Sequence, residues 1–118
     1  MQVAVHFAVG MAVGLVLVLV GEFSPREEFA ILMGNGFWAT LPDSWWFIRE
    51  YGFETSGLAL RAIHRSVLSN VFWFHGILDG METGNPRLEG AIGITLMFIV
   101  SAAYFLFNNW PNTREATR

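Results

Sequence analysis

Charged side chains are absent from four long stretches of this chain, residues 1–21, 29–42, 66–78 and 90–113, and that distribution constrains the fold more than any motif does. The hydrocarbon core of a bilayer is about 30 Å thick and takes about 20 helical residues to cross, and an unpaired ionised group inside it costs several kcal/mol. The charge-free stretches are therefore the parts able to enter lipid. Charged residues make up only 14% of the 118, and hydrophobic residues 53%; an ordinary soluble domain carries about 25% charged residues. The sequence thus predicts an all-α integral membrane protein, an antiparallel bundle of four transmembrane helices over residues 1–108, with a polar C-terminal tail at 109–118. The alternative is three spans plus a re-entrant second segment.

The first span, residues 3–20, has no positive n-region and no small-residue cleavage site, so it reads as a retained helix rather than a secretion signal. Gly10 and Gly14, four apart, allow a second helix to approach closely, either within the chain or across a dimer seam. Ser24, Pro25 and Glu27 spell a capping box with proline in the first helical turn, so a second helix starts near Pro25 and runs to Leu41, where Pro42 perturbs it. Trp45, Trp46, Arg49 and Tyr51 mix aromatic and charged groups in a way suited to the headgroup zone. A third helix is expected over residues 58–78, with Arg61 and Arg65 snorkelling from its start. The turn from Asp79 to Pro86 ends it, and a last helix over 88–108 is closed by Asn109, Trp110 and Pro111.

Arginine counting gives the sidedness. With four spans, Arg49, Arg61, Arg65, Arg114 and Arg118 share one face against Arg26 and Arg87, which places both termini in the cytoplasm of a multi-pass plasma-membrane protein. With three spans, Arg26 joins the larger group and only the C-terminus is cytoplasmic.

Several function classes are excluded by composition. There is no cysteine, hence no disulfide and no thiolate site. All seven basic residues are arginine, which removes any lysine Schiff base. A net charge of −3 opposes nucleic-acid binding. The expected partners are the lipid bilayer and a larger membrane complex or further copies of the chain.

Polar residues within or beside the apolar stretches are few, namely His6, Asp43, His64, His75 and Asp79. In the four-span bundle, alternating chain direction brings His6, Asp43 and His64 to one membrane face, a donor set suited to one divalent metal such as zinc or manganese. The plainer reading has the two histidines hydrogen-bonded to backbone and Asp43 capping the segment that follows. His75 and Asp79, four apart on one helix face, form a separate polar pair. On one continuous helix His64 and His75 would stand about 16 Å apart along the axis, too far for one metal to bind both.

The segments Val5-His6-Phe7-Ala8-Val9-Gly10, Leu41-Pro42-Asp43 and His64-Arg65-Ser66-Val67-Leu68-Ser69 together resemble the YdjM-like family of small membrane-bound metal-dependent hydrolases. The resemblance covers residues 5–69 and implies that His6, Asp43 and His64 are ligands, with Arg65 beside them. The chain departs from the family pattern at Trp45 and Trp46, where a second aspartate and a histidine would stand, and at Ser69, where a second histidine would stand. Only three ligands of a fuller set would then remain. That implies a degenerate member, an accessory or interaction subunit whose aromatic residues Trp38, Trp45, Trp46, Trp73 and Trp110 contact lipid or a partner. The alternative is a hydrolase acting on a lipid or phosphoester substrate.

Overall fold

A computed structural model describes residues 3–108, and every regular element in that range is helical. The order is α1 Val3–Val20, α2 Pro25–Thr40, a 3₁₀ turn Leu41–Ser44, α3 Trp45–Glu50, α4 Glu54–His64, a second 3₁₀ turn Val67–Val71, α5 His75–Gly80 and α6 Pro86–Asn108. The expected close of α6 at Asn109-Trp110-Pro111 and the polar tail lie outside the described residues.

The capping residues start α2 where the sequence places it. The backbone N–H and the hydroxyl of Ser24 both donate to Glu27 Oε2, at 2.7 and 2.8 Å.

Helix α1 packs against both α2 and α6. A Cβ added at Gly14 would lie 3.0 Å from the Ile31 carbonyl oxygen, and Gly10 sits against the backbone of Asn35 and Gly36, so the glycine pair serves packing within the chain. Met11, Leu15, Leu32 and Val100 form the core of this three-helix unit, with Phe7, Met97 and Tyr104 packed around them. At the far end the Tyr104 hydroxyl donates to the buried Glu28 carboxylate at 2.9 Å, and Asn108 Nδ2 donates to the same oxygen.

These contacts fix chain direction. Gly10 meets Asn35 and Gly14 meets Ile31, so α2 is antiparallel to α1; Gly93 meets Ala4 while Val100 packs on Met11, so α6 is parallel to α1. Val3 and Asn108 therefore stand at opposite ends of the unit.

Among the described residues two helices, α1 and α6, are long and apolar enough to cross a membrane. The continuous helix expected over residues 58–78 is not formed. Helix α4 stops at His64 after 11 residues, about 16 Å of rise, short of the about 30 Å hydrocarbon core. Serine and asparagine side chains have replaced helical bonds beyond that point. Ser66 is extended, its hydroxyl donates to the Ile63 carbonyl at 2.9 Å, and the Leu68 N–H donates to that hydroxyl at 3.2 Å. Ser69 Oγ donates to the Ser66 carbonyl at 2.8 Å, and Asn70 Oδ1 accepts from the Ile77 N–H at 3.0 Å. Trp73 and Phe74 then adopt left-handed φ of 52° and 64°, a conformation that costs non-glycine residues about 1–2 kcal/mol each and turns the chain sharply into α5.

Candidate metal centre

The break after α4 changes what can meet. Helix α1 supplies His6, the 3₁₀ turn after α2 supplies Asp43, the last residue of α4 is His64, and α5 supplies His75 and Asp79. All five side chains converge. His6 Nε2 lies 3.0 Å from Asp79 Oδ1 and 3.8 Å from Asp43 Oδ2. His75 Nε2 lies 3.4 Å from Asp43 Oδ1 and 3.4 Å from Asp79 Oδ2. His64 Nδ1 lies 3.1 Å from His75 Nε2 and 3.6 Å from Asp43 Oδ1, while its Nε2 is 3.8 Å from Asp79 Oδ2. The rings of His6 and His75 stack with centroids 3.9 Å apart.

The two constellations read from the sequence are thus one. His6, Asp43 and His64 come together as the bundle threading suggested, and His75 and Asp79, expected about 16 Å away, join them because the helix carrying His64 ends there. Two overlapping trios, His6 with Asp43 and His75, and His64 with His75 and Asp79, each hold their donor atoms within 4.8 Å of one another.

Spacing and burial fit a small divalent cation. Bonds of about 2.0–2.2 Å to nitrogen and oxygen place neighbouring donors about 3.0–3.6 Å apart, the range most of these pairs occupy. His6 and His75 are fully buried, yet His6 Nδ1 and Asp43 Oδ2 have no hydrogen-bond partner among the described residues. Buried donors and acceptors left in that state are costly. A cation between the two carboxylates and three imidazoles would satisfy Asp43 and offset the crowded negative charge. The second sphere is also in place. His75 Nδ1 donates to the Ala39 carbonyl at 3.0 Å, and since a carbonyl only accepts, the lone pair of a neutral ring is left on Nε2, facing the cluster.

Neighbouring elements hold the turn in register. Trp38 Nε1 donates to the Val71 carbonyl at 3.2 Å, tying the end of α2 to the second 3₁₀ turn, and Trp38 stacks on Phe72. Ser69, which the family pattern would replace with histidine, is buried beneath α5 rather than turned to the centre; a Cβ on Gly76 would lie 3.0 Å from Asn70 Oδ1 and closer still to the Ser69 hydroxyl. Trp45 carries the Arg61 guanidinium 4.9 Å from its ring centroid, whereas Arg65 is exposed at the end of α4. An apolar cavity of about 160 Å³, lined by Met11, Leu32, Met33, Val100 and Tyr104, lies along the bundle away from the centre.

No family model matches this chain, and neither a curated protein nor a solved structure does. The functional reading rests on the centre itself.

Proposed function

We propose that the chain is a membrane-embedded metal-dependent hydrolase whose centre is built by His6, Asp43, His64, His75 and Asp79. The observation that carries this reading is the convergence of three imidazoles and two carboxylates from four separate elements. The proposed resemblance to the YdjM-like hydrolases is in keeping with it, since His6, Asp43 and His64 lie on the segments that carry that resemblance. A catalytic site of this type needs three protein ligands and an open position. The chain offers five, so it can hold an ion and still keep a carboxylate for proton transfer. A zinc or manganese ion bound there would supply an activated water at neutral pH and polarise a carbonyl or phosphoryl oxygen. Asp43 Oδ2, without a hydrogen-bond partner among the described residues and 3.8 Å from His6 Nε2, is placed to accept a proton, and the buried rings of His6 and His75 keep bulk water from one side of the centre.

The membrane arrangement that fits the packing has α1 and α6 crossing, with α2 packed antiparallel along α1 and α3, α4 and α5 forming a layer at one face of a cell membrane. Their exposed residues support this: Val16, Phe29, Phe37, Phe98, Phe105 and Phe107 are each 59% or more exposed, a surface that suits hydrocarbon. The four-span bundle is less well served, because α4 is too short to cross.

The accessory-subunit reading depended on a depleted ligand set, and five converging side chains favour the enzyme. Elemental analysis of detergent-purified protein separates them. The expected result is about one equivalent of zinc, manganese or iron, lost in His6→Ala/His64→Ala and in His75→Ala. A metal-free wild type that stays metal-free after incubation with zinc and manganese would return the chain to the accessory role.

A further inference from the structure

Between the second 3₁₀ turn and the end of α5 the usual polarity of a surface segment is reversed. Over residues 67–80 the exposed side chains are Val67, Leu68, Val71, Phe74 and Ile77, from 54% to 81% exposed, and Gly80 is the only other exposed residue. The polar side chains of the same stretch, Ser69, Asn70, His75 and Asp79, are buried or half-buried and turned inward. A loop facing water shows the opposite pattern. Residues 49–56, in the same layer, turn their polar side chains outward, with Arg49, Glu50, Glu54, Thr55 and Ser56 exposed beside Tyr51 and Phe53.

The backbone is also equipped for an apolar surrounding. Irregular chain at membrane depth persists only where its N–H and C=O groups find partners inside the protein. Here two side chains stand in for missing helical bonds, Ser66 Oγ accepting from the Leu68 N–H and Asn70 Oδ1 from the Ile77 N–H, while the backbone carbonyl of Asn70 accepts from the Phe74 N–H at 3.0 Å. Trp38 Nε1 takes the Val71 carbonyl.

We propose that residues 66–80 form a re-entrant segment whose outer surface lies in the acyl chains of the bilayer crossed by α1 and α6, so that the metal centre is roofed by lipid on this side and faces water only on the side of residues 49–56. This rests on the membrane reading above and deepens it. The centre then opens at headgroup depth, and the substrate class it fits is an amphiphile presented by the bilayer, with its ester or phosphoester group at the centre and its chains beside Val67, Val71 and Ile77. Continuity selects lipid as the occupant, because the exposed faces of α1 and α6 are apolar in the same way and no charged side chain interrupts residues 66–78.

The chain has no cysteine, so single cysteines can be spin-labelled without background. Val67→Cys, Val71→Cys and Ile77→Cys would be compared with Phe98→Cys on α6 and Glu54→Cys at the start of α4, all in vesicles of phosphatidylethanolamine and phosphatidylglycerol. Collision with oxygen, which concentrates in hydrocarbon, is measured against collision with water-soluble chromium oxalate. The expected result is an oxygen preference at 67, 71 and 77 that matches position 98 and exceeds position 54 several-fold. Labels at 98 in lipid but at 67, 71 and 77 in water would overturn the re-entrant segment and leave the spanning helices standing. Water exposure at 98 as well would overturn the membrane reading. Dipolar broadening between labels at position 67 would overturn lipid as the occupant in favour of a second copy of the chain.

Discussion

His64 Nδ1 stands 3.1 Å from His75 Nε2, although the two residues are eleven apart in a stretch that an uninterrupted helix would draw out to about 16 Å. The approach is made by ending α4 at His64, folding the next ten residues into a 3₁₀ turn and two left-handed residues, and starting α5 at His75. One break in one helix thereby joins a polar trio and a polar pair into a five-residue centre.

His75 belongs to both donor trios and is oriented by the Ala39 carbonyl, so its loss should weaken metal binding more than any other single change. Outer-sphere partners alone are worth about 10–100-fold in metal affinity, so His75→Ala is expected to cost at least about 100-fold. His64→Ala, at a half-exposed position in one trio, should cost less. Isothermal titration with zinc into the metal-stripped variants gives the order directly, and equal losses would argue against a shared role for His75.

Gly76 permits α5 to dock on the second 3₁₀ turn, since a Cβ there would press on the Ser69 hydroxyl and Asn70 Oδ1. Gly76→Ala should force α5 outward at a cost on the order of 1–3 kcal/mol and displace His75 and Asp79 together. The prediction is reduced metal content with the helical circular dichroism of α1, α2 and α6 retained.

Most of the three-helix unit was legible in the sequence. Val3–Val20 and Pro86–Asn108 are long, apolar and bounded, and Ser24, Pro25 and Glu27 mark the start of α2 by local chemistry alone. The middle was not, because apolar residues 66–78 satisfy a helix and a lipid-facing turn equally well. The signal that could have separated them is Ser66, Ser69 and Asn70, three side chains that compete with helical bonds within five residues, followed by Gly76. Reading that cluster as a break would have placed His75 beside His64. The parallel run of α1 and α6 depends on which face of each helix finds the other, and single-chain periodicity carries no record of that.

Gly10 faces the backbone of Asn35 and Gly36, where no flexible side chain can yield. Gly10→Ala should therefore separate α1 from α2 and cost on the order of 1–3 kcal/mol. Gly34→Ala, at an open position on α2, should be neutral or slightly stabilising through helix propensity. Thermal unfolding in detergent compares the two, and equal midpoints would mean that the helices do not approach as closely as their glycines imply.

Metal binding should respond to pH in the sense set by its ligands. Every imidazole must give up a proton to bind, so acid competes with the ion, and affinity should fall steeply from about pH 8 to about pH 5, where histidines ordinarily take up protons. Three converging histidines make the dependence steeper than one proton per ion, because at least two of them must be neutral in either trio that includes His75. Asp43→Asn changes the charge but not the shape of the centre, so it should lower affinity at every pH while preserving the slope. His64→Ala and His75→Ala should each flatten it. Zinc titrations across that pH range, with protons released counted from the buffer dependence of the heat, read the slope and the stoichiometry together. A slope below one proton in the wild type would mean that the histidines are not the ligands, and the five-residue centre would lose its role.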